Sequence, residues 1–362
     1  LLIRVTRNCP WNRCAFCPVY KGSRFSVRAV EDVKADIDSV HGHVCALRGL
    51  TEHGADASRA RLQELADRVG PEEMPSFAAA AHWFLNGGMQ SIFLQDADSL
   101  IIKTQDLVEV LAHLRKRFPW VQRITSYSRS QTVARKKPED LRAIRESGLS
   151  RIHIGLESGS DEVLRRVEKG ATKELHIEAG LKAKEAGLEL SEYIMPGLGG
   201  TELSKVHARE TADALNKIDP DFIRIRTLSI SPRAPLWKTY CDGGFDKCSD
   251  LAIAEELLLL IEDLEGIHSV VKSDHILNLF ADLEGTLPRD KEHMLGILRS
   301  FLSLGPERRM LYQVGRRLGV FSSLRDLDDH ARCALVDARC RRLNVTVDNA
   351  DEFASKMMRR FV

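Results

Sequence analysis

No run in this 362-residue chain approaches the roughly 20 apolar residues that cross a bilayer; Leu257 to Ile261 is flanked by Glu255, Glu256, Glu262 and Asp263. Net charge is nearly absent as well. Lys and Arg number 53 against 52 Asp and Glu, a formal charge of +1, so no global field draws nucleic acid or an anionic membrane, and a polyanion would need a local patch. Eight cysteines are too few for a disulfide scaffold at this length. There is no long-period repeat, no low-complexity stretch and no initiating methionine. The apolar start, Leu1 to Thr6, is too short for a signal segment and runs straight into a cysteine cluster, so it reads as a buried strand. These absences leave a soluble, cytoplasmic globular protein as the expectation.

What is present is alternation. Short apolar runs lie at Leu1 to Val5, Ser91 to Leu94, Arg123 to Ser126, Arg151 to Leu156, Glu189 to Met195 and Phe222 to Leu228. Between them fall stretches of helical periodicity: Val27 to Val40, Gln105 to Phe118, Pro138 to Ser147, Lys173 to Ala186 and Ser204 to Ile218. Six βα units predict an α/β fold with a parallel sheet curling in one hand, a partial TIM-like (β/α)6 barrel. Chemistry in such a barrel gathers in the loops after the strands. The spacing places the barrel over 1–235, with a helical insertion over 41–89 that includes Arg59 to Val69. From 236 to 362 the pattern is mainly helical, as in Leu251 to Leu264, Lys291 to Leu304 and Ala331 to Arg342.

The first strand runs into Asn8-Cys9-Pro-Trp-Asn-Arg-Cys14-Ala-Phe-Cys17-Pro, a C-x4-C-x2-C loop. Three thiolates can converge there. Iron-sulfur clusters take four ligands, so a three-cysteine set leaves one iron open to a small molecule. Two other readings use the same residues. A structural zinc site would need a fourth ligand such as His41, His43 or Cys45, and a redox pair of Cys14 and Cys17 would leave Cys9 without a role.

The loop resembles the cluster motif of the radical S-adenosylmethionine (SAM) superfamily, whose usual form is C-x3-C-x2-C with an aromatic residue before the last cysteine. Phe16 takes that place, and one extra residue separates Cys9 from Cys14. After the fourth strand, Gly155-Leu156-Glu157-Ser158-Gly159-Ser160-Asp161-Glu162-Val163-Leu164, with Gly170 downstream, is similar to the Elp3/MiaB-type radical SAM domain.

The resemblance covers residues 1 to about 230. It implies a [4Fe-4S] cluster on Cys9, Cys14 and Cys17, and Glu157 and Ser158 facing the ribose and methionyl part of SAM. Gln95 and Asp96 stand where the family has a Gly-Gly-Glu-type segment receiving the SAM amino group. The loop Tyr193-Ile194-Met195-Pro196-Gly197-Leu198-Gly199-Gly200 takes the place of the family's adenine loop, where Gly197 lets backbone approach a flat ligand. By two-residue alternation, Arg224 and Arg226 share one face and could grip a SAM carboxylate or a substrate anion. Ser160 also suits a helix cap, His153 a core position, and Ser273-Asp274-His275 either a cap for a following helix or a reach to the site. Cys241 and Cys248, and likewise Cys333 and Cys340, have C-x6-C spacing, which repeats one helix face and suits buried thiols better than a second cluster.

The resemblance thus implies an oxygen-sensitive radical SAM enzyme. A reduced cluster cleaves SAM to a 5'-deoxyadenosyl radical that takes hydrogen from a substrate, and a ferredoxin- or flavodoxin-type protein delivers the electron. No residue is singled out as catalytic. Lys356, Arg359 and Arg360 are a minor basic cluster, which favours a small molecule, lipid or peptide over nucleic acid. An RNA-modifying or coproporphyrinogen-oxidase-like activity remains an alternative within the class. A structural zinc or iron-sulfur binding protein without SAM chemistry is the alternative outside it.

Overall fold

The computed structural model describes residues 1–52, 59–86 and 88–361. Residues 53–58 and 87, which fall in the expected 41–89 insertion, and residue 362 lie outside the described residues.

One sheet is built from β1 (Leu2–Arg4), β2 (Ser91–Gln95), β3 (Arg123–Ser128), β4 (Arg151–Glu157), β5 (Glu189–Ile194), β6 (Phe222–Ile225), β7 (Val270–Lys272) and β8 (Gly285–Thr286). Its strand order follows chain order from β1 to β8, as successive βα units of one hand produce. β1 and β2 are parallel with Ile3 opposite Leu94, β2 and β3 with Ile92 opposite Ile124, and β5 and β6 with Tyr193 opposite Arg224. β7 continues parallel with Lys272 opposite Arg224, and β8 turns back antiparallel. The fold is therefore α/β with a mostly parallel sheet.

All six expected strands form; β1, β5 and β6 are shorter than their apolar runs, and β2, β3 and β4 run one or two residues further. β7 and β8 lie in sequence read as helical. At three and two residues they are too short to carry an alternating signal. The first helix, Val30–Glu52, does not stop near Val40 but runs on past His41, and the helices Arg59–Asp67 and Met74–Asn86 follow.

By packing the chain divides into two compact units. One comprises Leu1–Pro10, Ser23–His153 and Lys182–Glu189. Its helix Thr104–Arg117 buries Leu107, Val110, Leu111 and Leu114, the i, i+3, i+4, i+7 stripe of a helix that faces a core, and the strand residues Ile92 and Ile124 are buried as well. The other comprises Trp11–Gly22, Ile154–Leu181 and Leu190–Val362. Here β6 buries Ile223 and Ile225 and leaves Arg224 half-exposed, the period-2 signature of a strand. Its C-terminal helices share an aromatic core of Phe280, Phe301, Tyr312 and Phe321. Beside that core Arg317 and Asp250 form an ion pair at 2.9 Å, with side chains only 4% and 5% exposed.

Candidate functional site

The cysteine loop begins where β1 ends, and two asparagines shape it. Asn8 and Asn12 both hold left-handed backbone, with φ of 68° and 47°, which short polar side chains tolerate better than most residues. In the first unit the Asn8 amide donates to Asp96 Oδ2 at 2.9 Å, and the Asn8 side chain donates to the Arg24 carbonyl at 2.6 Å. Arg24 leads into Ser26–Val27, which pairs antiparallel with Thr6–Arg7. Asp96 is thus fixed by the root of the loop: its own amide donates to Thr6 Oγ1 at 3.2 Å, and Arg4 Nε lies 3.6 Å from its carboxylate.

In the second unit the rest of the loop is held by backbone. The Asn12 side chain donates to the Tyr20 carbonyl, and Lys21 Nζ to the Asn12 carbonyl at 2.8 Å. Ala15 donates to the Val167 carbonyl at 2.8 Å and accepts from Leu236 at 2.9 Å. Trp11 Nε1 donates to the Glu168 carbonyl at 2.7 Å. Phe16 is buried in an apolar cluster with Val163, Val167, Met195 and Leu198, and Cys14 and Cys17 pack against that cluster. Cys9, Cys14 and Cys17 are all half-buried. Among the described residues no three His, Cys, Asp or Glu side chains are already gathered at metal-holding distance. The fit of a cluster rests on the donor set: three half-buried cysteines within nine residues of one loop could supply three of the four ligands that an iron-sulfur cluster takes.

Glu157, the last residue of β4, has a φ of 63°, a strained setting for a side-chain-bearing residue. Its carboxylate accepts from Lys169 Nζ at 3.1 Å, both side chains being mostly buried. A Cβ on Gly155 would overlap Glu157 Oε1 and fall 2.9 Å from Lys169 Nζ, so glycine makes the room for this pair. Lys169 also stands 5.9 Å from the Phe16 ring centroid. Glu192 on β5 is fully buried, and among the described residues its carboxyl group has the Leu156 backbone beside it and no side-chain hydrogen-bond partner. Burial pushes its pKa well above the ordinary range; the Lys169 cation opposes that shift and Glu157 reinforces it.

Ser158, read from the sequence as facing a ligand, is fully buried. Its hydroxyl is engaged by His207 Nδ1 at 2.8 Å and accepts from the Ser160 amide at 3.0 Å. Ser160 caps the helix Asp161–Arg166 by accepting from the Val163 amide. Gly197 needs its glycine for a φ of 85°; a Cβ there would find ordinary contacts with Ile253. Its amide donates to Glu256 Oε1 at 2.7 Å.

On β6, Arg224 forms an ion pair with Asp274 and lies 5.6 Å from the Tyr193 ring centroid. No helix comes after Ser273-Asp274-His275. Instead Ser273 donates to the Phe280 carbonyl, Asp274 serves Arg224, and His275 Nδ1 accepts from the Leu277 amide at 3.2 Å. Burial, with Arg226 and Arg224 beside it, lowers the His275 pKa to about 4 and keeps the ring neutral. The chain turns at residues 276–277, directly after the segment.

His153 is buried, stacked on Phe93 with centroids 5.9 Å apart, a core setting. His41 and Cys45 face each other on one helix at 3.6 Å, and His43 packs on Phe77, so the zinc alternative gains no ligand set from them. Cys248 and Cys340 are buried, Cys333 donates to the Leu327 carbonyl at 3.3 Å, and burial raises all three thiols, Cys248 to about 12. Such thiols resist becoming metal-binding thiolates.

Lys169, His207 and Glu256 in the second unit, and Asp98 in the first, were not legible in the sequence. Asp98 accepts from Ser128 at 3.0 Å and from the Thr132 hydroxyl, and its burial raises its pKa to about 6. None sits in a motif; Asp98 alone carried a hint, lying in the Gln95-Asp96-Ala97-Asp98 run. A polar cavity of about 590 Å³ lies at the opposite, N-terminal ends of β2, β3 and β5, lined by Gln90, Ser91, Gln122, Arg123 and Glu189, and it takes no part in this arrangement.

Comparison with known proteins places the chain. A family model described as the radical SAM superfamily matches residues 3–211. Among solved structures, methylornithine synthase (PylB) is 16% identical with a TM-score of 0.45, covering 76% of this chain and 65% of that one. Elp3 from Methanocaldococcus infernus is 17% identical with a TM-score of 0.40, covering 54% and 52%. Coproporphyrinogen III oxidase (HemN) from Escherichia coli is 14% identical with a TM-score of 0.46, covering 73% and 52%. The chain thus spans less than two thirds of the length of these structures. No curated protein matches it. No helix among the described residues is long and apolar enough to cross a membrane. With more than half of the chain matched, the protein belongs to the radical SAM superfamily, enzymes that use a [4Fe-4S] cluster and S-adenosylmethionine.

Proposed function

We propose that the chain holds a [4Fe-4S] cluster on Cys9, Cys14 and Cys17 and cleaves SAM reductively to generate a hydrogen-abstracting radical. The observation that carries the reading is the three-cysteine loop, fixed by backbone and asparagine hydrogen bonds and backed by the Phe16 cluster, in a chain of this family. When bound and reduced, the cluster supplies the electron that splits SAM into methionine and a 5'-deoxyadenosyl radical. The protein's part is to orient reactants and exclude water and oxygen.

Glu157 is assigned to the ribose hydroxyls, which a carboxylate accepts from. Lys169 holds that carboxylate in place through their ion pair. Gln95 and Asp96 are assigned to the SAM amino end, with Asp96 already tied to the loop root through Asn8. The Gly197 turn offers backbone to the adenine. Arg226 is assigned to a carboxylate of SAM or substrate, with Arg224 beside it held by Asp274. Ser158 acts through His207 rather than on the ligand. A ferredoxin- or flavodoxin-type donor in the cytoplasm supplies the electron. The balanced charge favours a small-molecule, lipid or peptide substrate.

The test is anaerobic reconstitution with iron and sulfide, then dithionite and SAM, with 5'-deoxyadenosine and methionine quantified. About four irons per chain and 5'-deoxyadenosine formation support the reading. Tightly bound zinc without SAM cleavage would overturn it. Glu157→Gln should weaken SAM binding about tenfold while keeping the iron, the loss of one charge-assisted hydrogen bond.

A further inference from the structure

A buried polar network inside the second unit adds side-chain links between two loops whose roots already share one backbone hydrogen bond, from the Met195 amide to the Glu157 carbonyl at 3.0 Å. From the loop after β4, the Ser158 hydroxyl meets His207 Nδ1 at 2.8 Å, and the Gly159 amide donates to Thr211 Oγ1 at 2.9 Å. His207 and Thr211 lie one turn apart on the helix Gly200–Ile218. Across the ring, His207 Nε2 faces the Met195 carbonyl at 3.1 Å and Glu256 Oε1 at 3.5 Å. Two acceptors on that side assign the proton to Nε2 and leave Nδ1 to accept from Ser158. The same Glu256 oxygen accepts from the Gly197 amide at 2.7 Å, and its other oxygen accepts from the Ser204 hydroxyl.

The order Ser158, His207, Glu256 superficially matches a hydrolase triad. Ser158 and His207 are 0% and 1% exposed, so no substrate reaches the hydroxyl. Buried polar groups with every partner in place rigidify what they connect. Gly159 tightens the junction further, because a Cβ there would strike the Glu210 carbonyl of the same helix.

We propose that His207 and Glu256 are positioning residues that lock the Glu157-Ser158 loop to the Met195–Gly199 loop, so that both sides of the SAM site move as one piece. This rests on the reading of those two loops as the ones that flank SAM. The pair touches neither SAM nor cluster; it sets how much of the loop ordering is already complete before the ligand arrives.

The experiment compares wild type, His207→Leu, Glu256→Leu, the double variant and Glu256→Gln, each reconstituted anaerobically. Iron per chain, SAM affinity by equilibrium dialysis, and KM and kcat for dithionite-driven 5'-deoxyadenosine formation are measured. Each leucine variant should keep its iron and lose about tenfold or more in SAM affinity and KM, with kcat changed less. The double variant should be no worse than the poorer single, as parts of one network are. Glu256→Gln should restore affinity, because its amide still accepts from Gly197. Unchanged SAM affinity in both leucine variants, or losses that multiply in the double, overturns the proposal. Wild type that cleaves SAM beside unaffected variants sinks the lock alone; wild type that neither binds nor cleaves SAM sinks the SAM reading beneath it. If the leucine variants do not fold, amide exchange in wild type decides. Gly159, Ser160 and Gly197 should open with one common free energy, and separate openings would refute the lock.

Discussion

The indole of Trp11 lies across Gly170: a Cβ on that glycine would overlap ring atom Cζ2, and the ring nitrogen donates to the Glu168 carbonyl at 2.7 Å. Glu168 and Gly170 both hold left-handed backbone, with φ of 52° and 68°. The turn after the helix Asp161–Arg166 is therefore the seat on which the middle of the cysteine loop rests.

That contact makes Gly170→Ala a probe of loop placement. The methyl group meets the indole and the backbone leaves a conformation natural to glycine, together costing about 1–3 kcal/mol. Reconstituted Gly170→Ala should hold less iron per chain and melt earlier than wild type. Trp11→Phe, which gives up one hydrogen bond and adds no clash, should lose less of both.

The cysteine loop and the C-terminal cysteines Cys333 and Cys340 should behave differently. Replacing Cys9, Cys14 or Cys17 by alanine should abolish cluster formation, read as iron and sulfide per chain after reconstitution. Cys333→Ala and Cys340→Ala should leave the iron unchanged, since those thiols are raised in pKa and held in helix packing. Iron loss from Cys333→Ala would show a second cluster.

Glu192 sets a pH dependence whose sign comes from burial. Its folded pKa is raised above the ordinary 4.5, so the folded state keeps a proton that the unfolded state has released. Stability from this group is full below pH 4.5 and falls as pH rises towards the folded pKa, by at most about 1.4 kcal/mol per pH unit. Urea denaturation should show wild type losing stability relative to Glu192→Gln as pH increases from 4.5. A constant difference across that range would mean that Glu192 is ionised in the fold.

Arg317 and Asp250 make the opposite kind of test. Arg317→Met takes the guanidinium from a carboxylate that is 5% exposed, leaving it Gln313 Nε2 at 3.3 Å on its other oxygen and the buried Lys247 cation nearby. Breaking one partner of a buried pair costs about 3–5 kcal/mol, so chemical denaturation should register a large loss. The double variant Arg317→Met, Asp250→Leu should recover most of it.

Much of the fold was legible because local rules and tertiary outcome agree here. Lys173 to Ala186 and Pro138 to Ser147 read as helices and end within a residue of where they form, Lys173–Glu185 and Pro138–Glu146. β7 and β8 were not legible, since strands that short exist only because β6 offers an edge to pair with. Ser273 to His275 suggested a cap because cap residues and loop residues are the same polar types. The chain turns immediately after them rather than entering a helix, and Asp274 instead finds Arg224, 50 residues away.

The sequence by itself determined the class. Cysteine spacing, the Gly155 to Leu164 segment and six βα units are local patterns, and local patterns survive in one dimension. Tertiary structure alone decided which polar side chains serve the ligand and which serve the scaffold. Ser158 and Glu157 are neighbours in the chain, yet one is closed off against His207 and the other stays with Lys169 at a partly exposed strand end. That division depends on burial and on partners 12 to 49 residues distant, which no spacing rule encodes.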